Sequence, residues 1–318
     1  MTNIPLKTIV KQSTHIENHF LAKSGISFRN SDNQLAHVYG FGSHSNKNKA
    51  MVASKFELLE RLYATYDLHE VSSPSSYKIF QGFLHSDFKI KMEFDSSEVL
   101  LDAKMEENLT DANGLGCHHF FPLAVRHGLF EVIERHLLAN IWYNDYQLFS
   151  LGKSIILKKN LRLRYYCLAN ANIPLAIAIL DKLEDGVWIL GSCVRLPFRD
   201  ALTHAKNEAV MLLESAISQN EQAYSKEMDH RLDSLKDIKF SLAREIFFQS
   251  KVIGKIDSLD CKFSISSMIR STLNENSLWV VPLHSSNKLN VVRIIDKTAK
   301  NPRWLRIEKS EIPLDPFC

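Results

Sequence analysis

The stretch NKAMVASKFELLERLYATY, residues 48–66, has the residue spacing of an amphipathic helix. Its apolar side chains recur near helical spacing, and good helix formers such as alanine, lysine, leucine and glutamate stand between them. The apolar positions are Met51, Phe56, Leu58, Leu59, Leu62 and Tyr63. This pattern predicts the first helix of the chain.

Six residues of this helix recur in a second stretch. FELLER at 56–61 and FEVIER at 130–135 are identical at four of six positions and differ conservatively at the other two. The second copy lies within residues 122–142, PLAVRHGLFEVIERHLLANIW, which open with a proline suited to a first helical turn. We therefore predict a second helix that carries the repeated residues.

Each predicted helix offers a pair of glutamates, Glu57 with Glu60 and Glu131 with Glu134. Residues three apart on a helix project from one face, so the two carboxylates of a pair can reach a common object. Magnesium prefers carboxylate oxygens shared with phosphate oxygens. Two such helices facing each other would form a clamp for magnesium and a triphosphate.

Ordinary ion pairs give a second interpretation of the same residues. Glu57 with Arg61, and Glu131 with Arg135, have the i,i+4 spacing of surface salt bridges, which are common on helices. The apolar neighbours of the second glutamate in each pair favour the clamp. A carboxylate near a core boundary is costly unless it is paired or binds a metal.

The remainder of the chain alternates between strand-like and helix-like patterns, which predicts a mixed α/β (α+β) fold. No linker rich in glycine, serine or proline interrupts it, so we expect one interwoven body. Strands are predicted at 88–94, 161–167, 173–180, 187–193, 278–283 and 289–296, with a hairpin over 173–193, and helices at 198–215 and 236–248. The last eight residues, EIPLDPFC, should form an extended tail.

Composition excludes several classes of protein. Of 318 residues, 45% are hydrophobic and 24% are charged, as in ordinary globular proteins, and a net charge of +3 is too small to indicate nucleic-acid binding. The apolar run at 173–180 is too short to span a membrane, and the N-terminus lacks a signal-peptide pattern. Five cysteines without a CxxC pair argue against disulfides and thiolate zinc. We predict a cytoplasmic location.

The first helix contains the pattern SxxExxER, formed by Ser54, Glu57, Glu60 and Arg61. This pattern matches in full a motif of the YcaO family, whose members are ATP-dependent enzymes that modify backbone amides, and the chain resembles that family. The turn at 40–43, GFGS, precedes this motif as it does in the family. The resemblance runs from about Gly40 to the C-terminus.

Two further motifs extend the resemblance. An SNG-type turn resembles residues 112–115, ANGL, and leads into the helix with the second ExxER. A third motif, ExxQ on a helix that begins with Ala-Leu, resembles Ala201, Leu202 and Glu208. The family's IPv strand is similar to residues 172–175, NIPL.

Departures from the family concentrate around nucleotide binding. Met211 replaces the glutamine of the third motif, and His204 stands where many members have an arginine. A histidine keeps a possible positive charge but loses the planar fork that grips phosphate. Gly116, His119 and Leu123 occupy positions where stand-alone members often have serine, asparagine and glutamate. The chain is therefore more similar to the azole-forming, microcin-type branch.

The resemblance implies a YcaO-like fold in which mixed β-sheets and helices flank a cleft for ATP and Mg2+, with an N-terminal segment at 1–39 and the catalytic domain at 40–318. Residues implied to bind ATP are Ser54, Glu57, Glu60, Arg61, Asn113, Glu131, Glu134, Arg135, His204 and Glu208. Residues implied to ligate magnesium are Glu57, Glu60, Glu131, Glu134 and Glu208. Those implied to be catalytic are Glu57, Glu131, Arg135 and Cys318.

The implied activity is ATP-dependent cyclodehydration of Cys, Ser or Thr residues in a ribosomally made precursor peptide, which yields thiazoline or oxazoline rings. Thioamide formation and a non-catalytic scaffold role remain open alternatives. A separate E1-like partner that binds the leader peptide is expected, because the resemblance occupies residues 40–318 and leaves little chain for a recognition domain. A flavin dehydrogenase partner and a homodimer are left open, and neither nucleic acid nor membrane is expected as a partner.

Overall fold

The structure is a computed structural model that describes residues 6–29, 35–65, 79–101, 112–143, 147–152, 154–158, 161–168, 173–182, 187–219, 251–252 and 264–299. Its helices are α1 Lys47–Ala64, α2 Ser96–Val99, α3 Phe121–Tyr143, α4 Phe198–Gln219 and α5 Ile265–Thr272. Its strands are β1 Lys7–Gln12, β2 Phe20–Arg29, β3 Leu35–His44, β4 Ile79–Leu84, β5 Lys91–Asp95, β6 Leu115–His118, β7 Leu148–Ser150, β8 Ile155–Ile156, β9 Leu161–Leu168, β10 Leu175–Lys182, β11 Val187–Val194, β12 Lys251–Val252, β13 Leu278–Ser285 and β14 Asn290–Asp296.

Helix α1 confirms the first predicted helix, and its two ends are fixed by side chains. The Asn46 side chain accepts a hydrogen bond from Lys49 N at 3.1 Å, which satisfies a backbone donor of the first turn. At the other end, Thr65 leaves the helical conformation, and its Oγ1 donates to the Arg61 carbonyl at 2.6 Å. The helix therefore ends at Ala64, two residues before the predicted end. Helix α3 confirms the second predicted helix.

The chain forms two compact units, each assembled from separated segments. The described residues of the first unit lie within 6–12, 18–132 and 273–299, and those of the second unit lie within 13–17 and 133–272. One of the divisions between them falls within helix α3. Strand β3 runs without a break across residues 39 and 40, where the sequence predicts the start of the catalytic domain. That domain boundary stays a prediction.

The first unit contains two antiparallel sheets. Strands β1, β2 and β3 form one sheet in that order, and α1 packs on it with Leu58 against Ile26 and Phe28. The other sheet has the order β5-β4-β13-β14-β6, and its core includes Phe80 and Phe94. None of the three strands of the first sheet was predicted from the sequence.

The second unit contains one sheet of order β11-β10-β9-β7-β12, with β8 paired to β9. The predicted hairpin is confirmed, since β10 and β11 pair antiparallel from Leu175 opposite Val194 onward. Helix α4 packs its alanines, among them Ala205 and Ala209, into the same core as β10 alanines Ala176 and Ala178. Small side chains on both surfaces let the helix lie close to the sheet.

One predicted strand is shorter than the alternation of its residues suggests. Strand β5 begins at Lys91, whereas the prediction began at residue 88. Asp87 stops the strand pattern, because its side chain accepts from Lys89 N at 2.9 Å and its carbonyl accepts from Ile90 N at 3.0 Å. The alternating residues before Lys91 therefore belong to a turn.

The late strands β13 and β14 confirm their predictions. The predicted helix at 236–248 and the tail at 311–318, including Cys318, lie outside the described residues. None of the described helices is long and apolar enough to span a membrane.

Candidate functional site

The candidate site residues lie on three strand–helix pairs, which are β3 with α1, β6 with α3, and β11 with α4. In each pair a glycine of the strand lies very close to the backbone of the helix. A Cβ atom added at Gly40 of β3 would lie 2.2 Å from the Ser54 carbonyl oxygen of α1, and one added at Gly191 of β11 would lie 2.2 Å from the Ala205 carbonyl oxygen of α4. Gly116 of β6 approaches α3 in the same way. No larger residue fits at these positions, so each strand lies directly against its helix.

Glu57 of α1 accepts a hydrogen bond from the residue that follows Gly40. Its Oε2 lies 2.8 Å from Phe41 N, and its Oε1 lies 2.6 Å from the Arg61 guanidinium, which also donates to the Tyr39 carbonyl. Burial raises the pKa of Glu57 against the opposing effect of Arg61, and the charge of Glu60 raises it further. A divalent cation at this carboxylate would relieve both the desolvation and the repulsion.

Glu60 is the more deeply buried glutamate of the first motif, with 8% of its surface exposed. Its Oε1 accepts from Cys117 N of β6 at 2.8 Å and lies 3.2 Å from His127 Nδ1. Burial and the charge of Glu60 together raise the pKa of the Cys117 thiol to about 12. The backbone bond fixes the carboxylate while leaving oxygen lone pairs for a metal or for water.

In the second unit, Glu134 of α3 is equally buried, at 8% exposure. Its Oε1 accepts from Ser192 Oγ at 2.6 Å, and its Oε2 accepts from Val194 N at 3.1 Å. Both partners lie on β11. The second glutamate of each repeated motif therefore bonds a strand backbone N–H, which accounts for its position beside apolar residues.

Glu208 of α4 repeats the arrangement of Glu57. Its carboxylate accepts from Ser192 N at 2.8 Å, and Ser192 follows Gly191 as Phe41 follows Gly40. The preceding residue, Asn207, is 6% exposed, and its side-chain nitrogen donates no hydrogen bond within the described part of the chain. A buried donor next to a carboxylate fits a site that binds a polar ligand.

His204 of α4 contacts Arg195 through a ring nitrogen, and its role toward ATP stays a prediction. Arg195 Nη1 lies 2.7 Å from His204 Nε2. A guanidinium can only donate, so this imidazole nitrogen accepts and carries no proton. The positive charge at this place belongs to Arg195, at the end of β11, rather than to His204.

Ser54 is the most deeply buried of the residues implied to bind ATP in the first motif, and that role stays a prediction. It is fully buried between α1 and the first sheet, and its Oγ bonds Ser24 Oγ at 2.8 Å and the Met51 carbonyl at 2.9 Å. Ser54 holds the helix to the sheet and thereby helps to place Glu57 one turn further along.

Asn113, Glu131 and Arg135 are each partly exposed, Asn113 just before β6 and the other two on α3. Their roles toward ATP stay predictions. Among the described residues, no three His, Cys, Asp or Glu side chains lie close enough together to hold a metal ion by themselves. A magnesium ion at these glutamates would therefore need oxygen atoms from phosphate or water as well.

A protein-family model matches residues 93–302, more than half of the chain, and describes the family as YcaO cyclodehydratase, ATP- and Mg2+-binding. The chain belongs to the YcaO family. The resemblance seen in the sequence is thus confirmed, together with the ATP-dependent enzyme class and the cofactors ATP and Mg2+. The matched region includes the second and third motifs, whereas the first motif lies before it.

Solved structures show the same fold. The YcaO protein of Methanopyrus kandleri bound with AMPPCP and Mg2+ aligns with a TM-score of 0.65 at 15% identity, over 96% of this chain and 88% of that chain. A chain of the E. coli microcin synthetase McbBCD complex with pro-MccB17 bound aligns with a TM-score of 0.65 at 12% identity, over 100% and 98%. A heterocyclase in complex with substrate and cofactor gives 0.63 at 13% identity, over 93% and 50%. No curated protein matches the sequence significantly.

Sequence reasoning missed Arg195, Asn207 and the backbone partners of the buried glutamates. A signal for Arg195 was present, because it is a cation that directly follows a buried strand and stands three residues before a helix. Asn207 gave no usable signal, since an asparagine within a helix is usually exposed. The backbone donors depend on which strand meets which helix, and this requires the fold.

Proposed function

We propose that the chain is a cyclodehydratase that uses ATP to form thiazoline or oxazoline rings from Cys, Ser or Thr residues of a ribosomally made precursor peptide. In this reaction the substrate's thiol or hydroxyl loses its proton and attacks the preceding amide carbon, and the resulting oxyanion takes the γ-phosphoryl group of ATP while ADP is released. The amide nitrogen then loses its proton and forms the C=N bond of the ring as phosphate leaves. Membership of the YcaO family supports the reaction class. The observation that carries the proposal is the set of buried glutamates, each fixed by a strand N–H.

The residues of the chain have distinct tasks in this proposal. Glu57, Glu60 and Glu134 offer hard oxygen ligands, and each carboxylate is held by a backbone hydrogen bond from a strand of its own unit. Glu131 and Glu208 would complete the set of ligands. Bound Mg2+ would neutralise charge on the triphosphate.

A scaffold role without catalysis is the second candidate, and Met211 is the observation that favours it. A thioether is a poor ligand for magnesium, so the third motif lacks one of its oxygen donors. Arg195 argues against this candidate, because its guanidinium lies beside His204 and places a positive side chain where many members of the family have an arginine.

Peptide modification needs further components. A solved neighbour is a microcin synthetase complex with pro-MccB17 bound. We propose that this chain also works with a precursor peptide and with a separate E1-like protein that binds the leader. A flavin dehydrogenase would act only after the ring has formed.

Mass spectrometry of a candidate peptide tests the proposal. The full chain, its partner protein, ATP and Mg2+ are incubated with a short Cys- and Ser-rich peptide encoded nearby. Both candidate reactions follow the same phosphoryl activation, and the mass of the product separates them: ring formation lowers the mass by about 18 Da per site through loss of water, whereas thioamide formation raises it by about 16 Da through exchange of oxygen for sulfur. An unchanged mass together with absent ATP binding would support the scaffold role instead.

A further inference from the structure

Arg195 is oriented by neutral partners at the end of strand β11. Its Nη1 donates to His204 Nε2 at 2.7 Å, and it also hydrogen-bonds the buried Cys193 thiol. Both contacts fix the guanidinium without cancelling its charge. Arg195 is itself only partly buried, so it can be reached from solution.

The charge of Arg195 is not used within the described part of the chain. None of the ion pairs there involves it, whereas Arg61 lies 2.6 Å from Glu57 and Arg162 lies 2.9 Å from Asp181. The hydrogen bonds to His204 and Cys193 leave further N–H groups of the guanidinium for an external acceptor. An oriented guanidinium with spare donors is suited to bidentate binding of a phosphate.

The surroundings of Arg195 connect it to the candidate site. The carboxylates of Glu134 and Glu208 act electrostatically on Cys193, the residue that Arg195 bonds. Glu208 and His204 lie one turn apart on α4. Glu134 accepts from Val194 N and Glu208 accepts from Ser192 N, so Arg195 directly follows the strand segment that bonds both proposed magnesium ligands of the second unit.

We propose that Arg195 binds a phosphate group of ATP and that His204 is a positioning residue that holds the guanidinium from behind. This inference rests on the proposed function and deepens it. The family resemblance places an arginine at position 204, and here the guanidinium comes from position 195 and meets residue 204 at hydrogen-bond distance. The two residues have exchanged roles, and the cation is kept.

Binding of AMPPCP with Mg2+ to the full chain, measured by calorimetry, tests this assignment. Arg195→Gln should weaken binding roughly 10- to 100-fold, since a charged phosphate contact is lost, while adenosine binding stays the same. The salt dependence of AMPPCP affinity should also decrease. His204→Gln keeps an acceptor and should have a smaller effect than His204→Leu. Arg270→Gln on α5, an exposed arginine, is the control and should change nothing.

The exchange variant R195H/H204R separates a phosphate role from a structural one. It should bind AMPPCP more tightly than Arg195→His alone, because a guanidinium returns to the same place from the helix. Wild-type affinity in Arg195→Gln would overturn the assignment and leave the proposed function standing. An equal loss of adenosine and AMPPCP binding would show a structural role and overturn it too. If the wild-type chain bound no AMPPCP, both proposals would fail together.

Discussion

Replacing Glu57 by glutamine should abolish ATP turnover while the fold stays intact. The change keeps the shape of the side chain and removes one anionic ligand from the proposed metal site. Glutamine can still accept from Phe41 N through its amide oxygen, at the geometry that now gives 2.8 Å. Loss of the charge therefore affects the cation more than the helix.

The cost in stability follows from the contacts of Glu57. A charge-assisted bond to Phe41 N becomes a neutral one, which costs about 1 kcal/mol. The partly exposed pair with Arg61 adds about 0.2 to 1 kcal/mol. Burial acts in the opposite direction, because it raises the pKa of Glu57 and so already disfavours the charged form. A net loss of about 1 kcal/mol corresponds to a fall in Tm of about 2 to 4 °C.

Glu98→Gln provides a matched control for this variant. Glu98 also accepts a backbone bond, from Asp95 N at 3.1 Å, and it pairs with Lys297 at 3.3 Å, but it belongs to the cap of α2 and to none of the motifs. Both variants should lose similar stability in a thermal melt followed by circular dichroism. Only Glu57→Gln should stop Mg2+-dependent phosphate release. Normal phosphate release by Glu57→Gln would refute the assignment of Glu57 to the metal site.

Three more predictions concern packing and titration. Gly40→Ala should cost more stability than a usual surface change, because its Cβ would lie 2.2 Å from the Ser54 carbonyl, and a denaturant melt measures this. Burial alone would raise the pKa of Glu214, but hydrogen bonds from segment 13–17 outweigh this effect and lower the pKa. The stability that these bonds contribute should therefore be present above the ordinary pKa of a glutamate and be lost as the pH falls through the lowered pKa of Glu214. Faster hydrogen exchange in segment 13–17 at low pH would show this loss. Burial raises the pKa of Cys193 well above its ordinary value, so it should resist iodoacetamide at pH 8 until the chain unfolds.

The sequence predicted the helices of the site because their information is local. The spacing of apolar residues around FELLER and FEVIER predicted α1 and α3, and the sequence EDG at 184–186 favoured a hairpin, which the pairing of β10 with β11 confirms. The first sheet was missed, since β2 is buried at alternate residues but includes Lys23 and Ser24 and has no strong apolar run.

The site could be predicted only as far as its residue types allowed. Paired glutamates identified oxygen ligands, but the sequence could not show that Ser54 is buried or that His204 accepts from Arg195. Both outcomes depend on which neighbour each side chain meets in three dimensions. A motif names the residues of a helix face, whereas the fold decides which of them solvent and ligands reach.

Met211 lies on α4, which forms with β11 the third strand–helix pair of the site, after β3 with α1 and β6 with α3. Glu60 and Glu134 each follow the first glutamate of their motif by three residues, and each reaches a strand N–H. Met211 takes the corresponding place after Glu208, and its thioether is neither a strong acceptor nor a ligand that magnesium prefers. The third pair thus supplies one carboxylate and, through Arg195, one guanidinium. A carboxylate suits a metal ion and a guanidinium suits phosphate, so we expect Glu208 of this pair to act on magnesium and Arg195 to act on the phosphates of ATP.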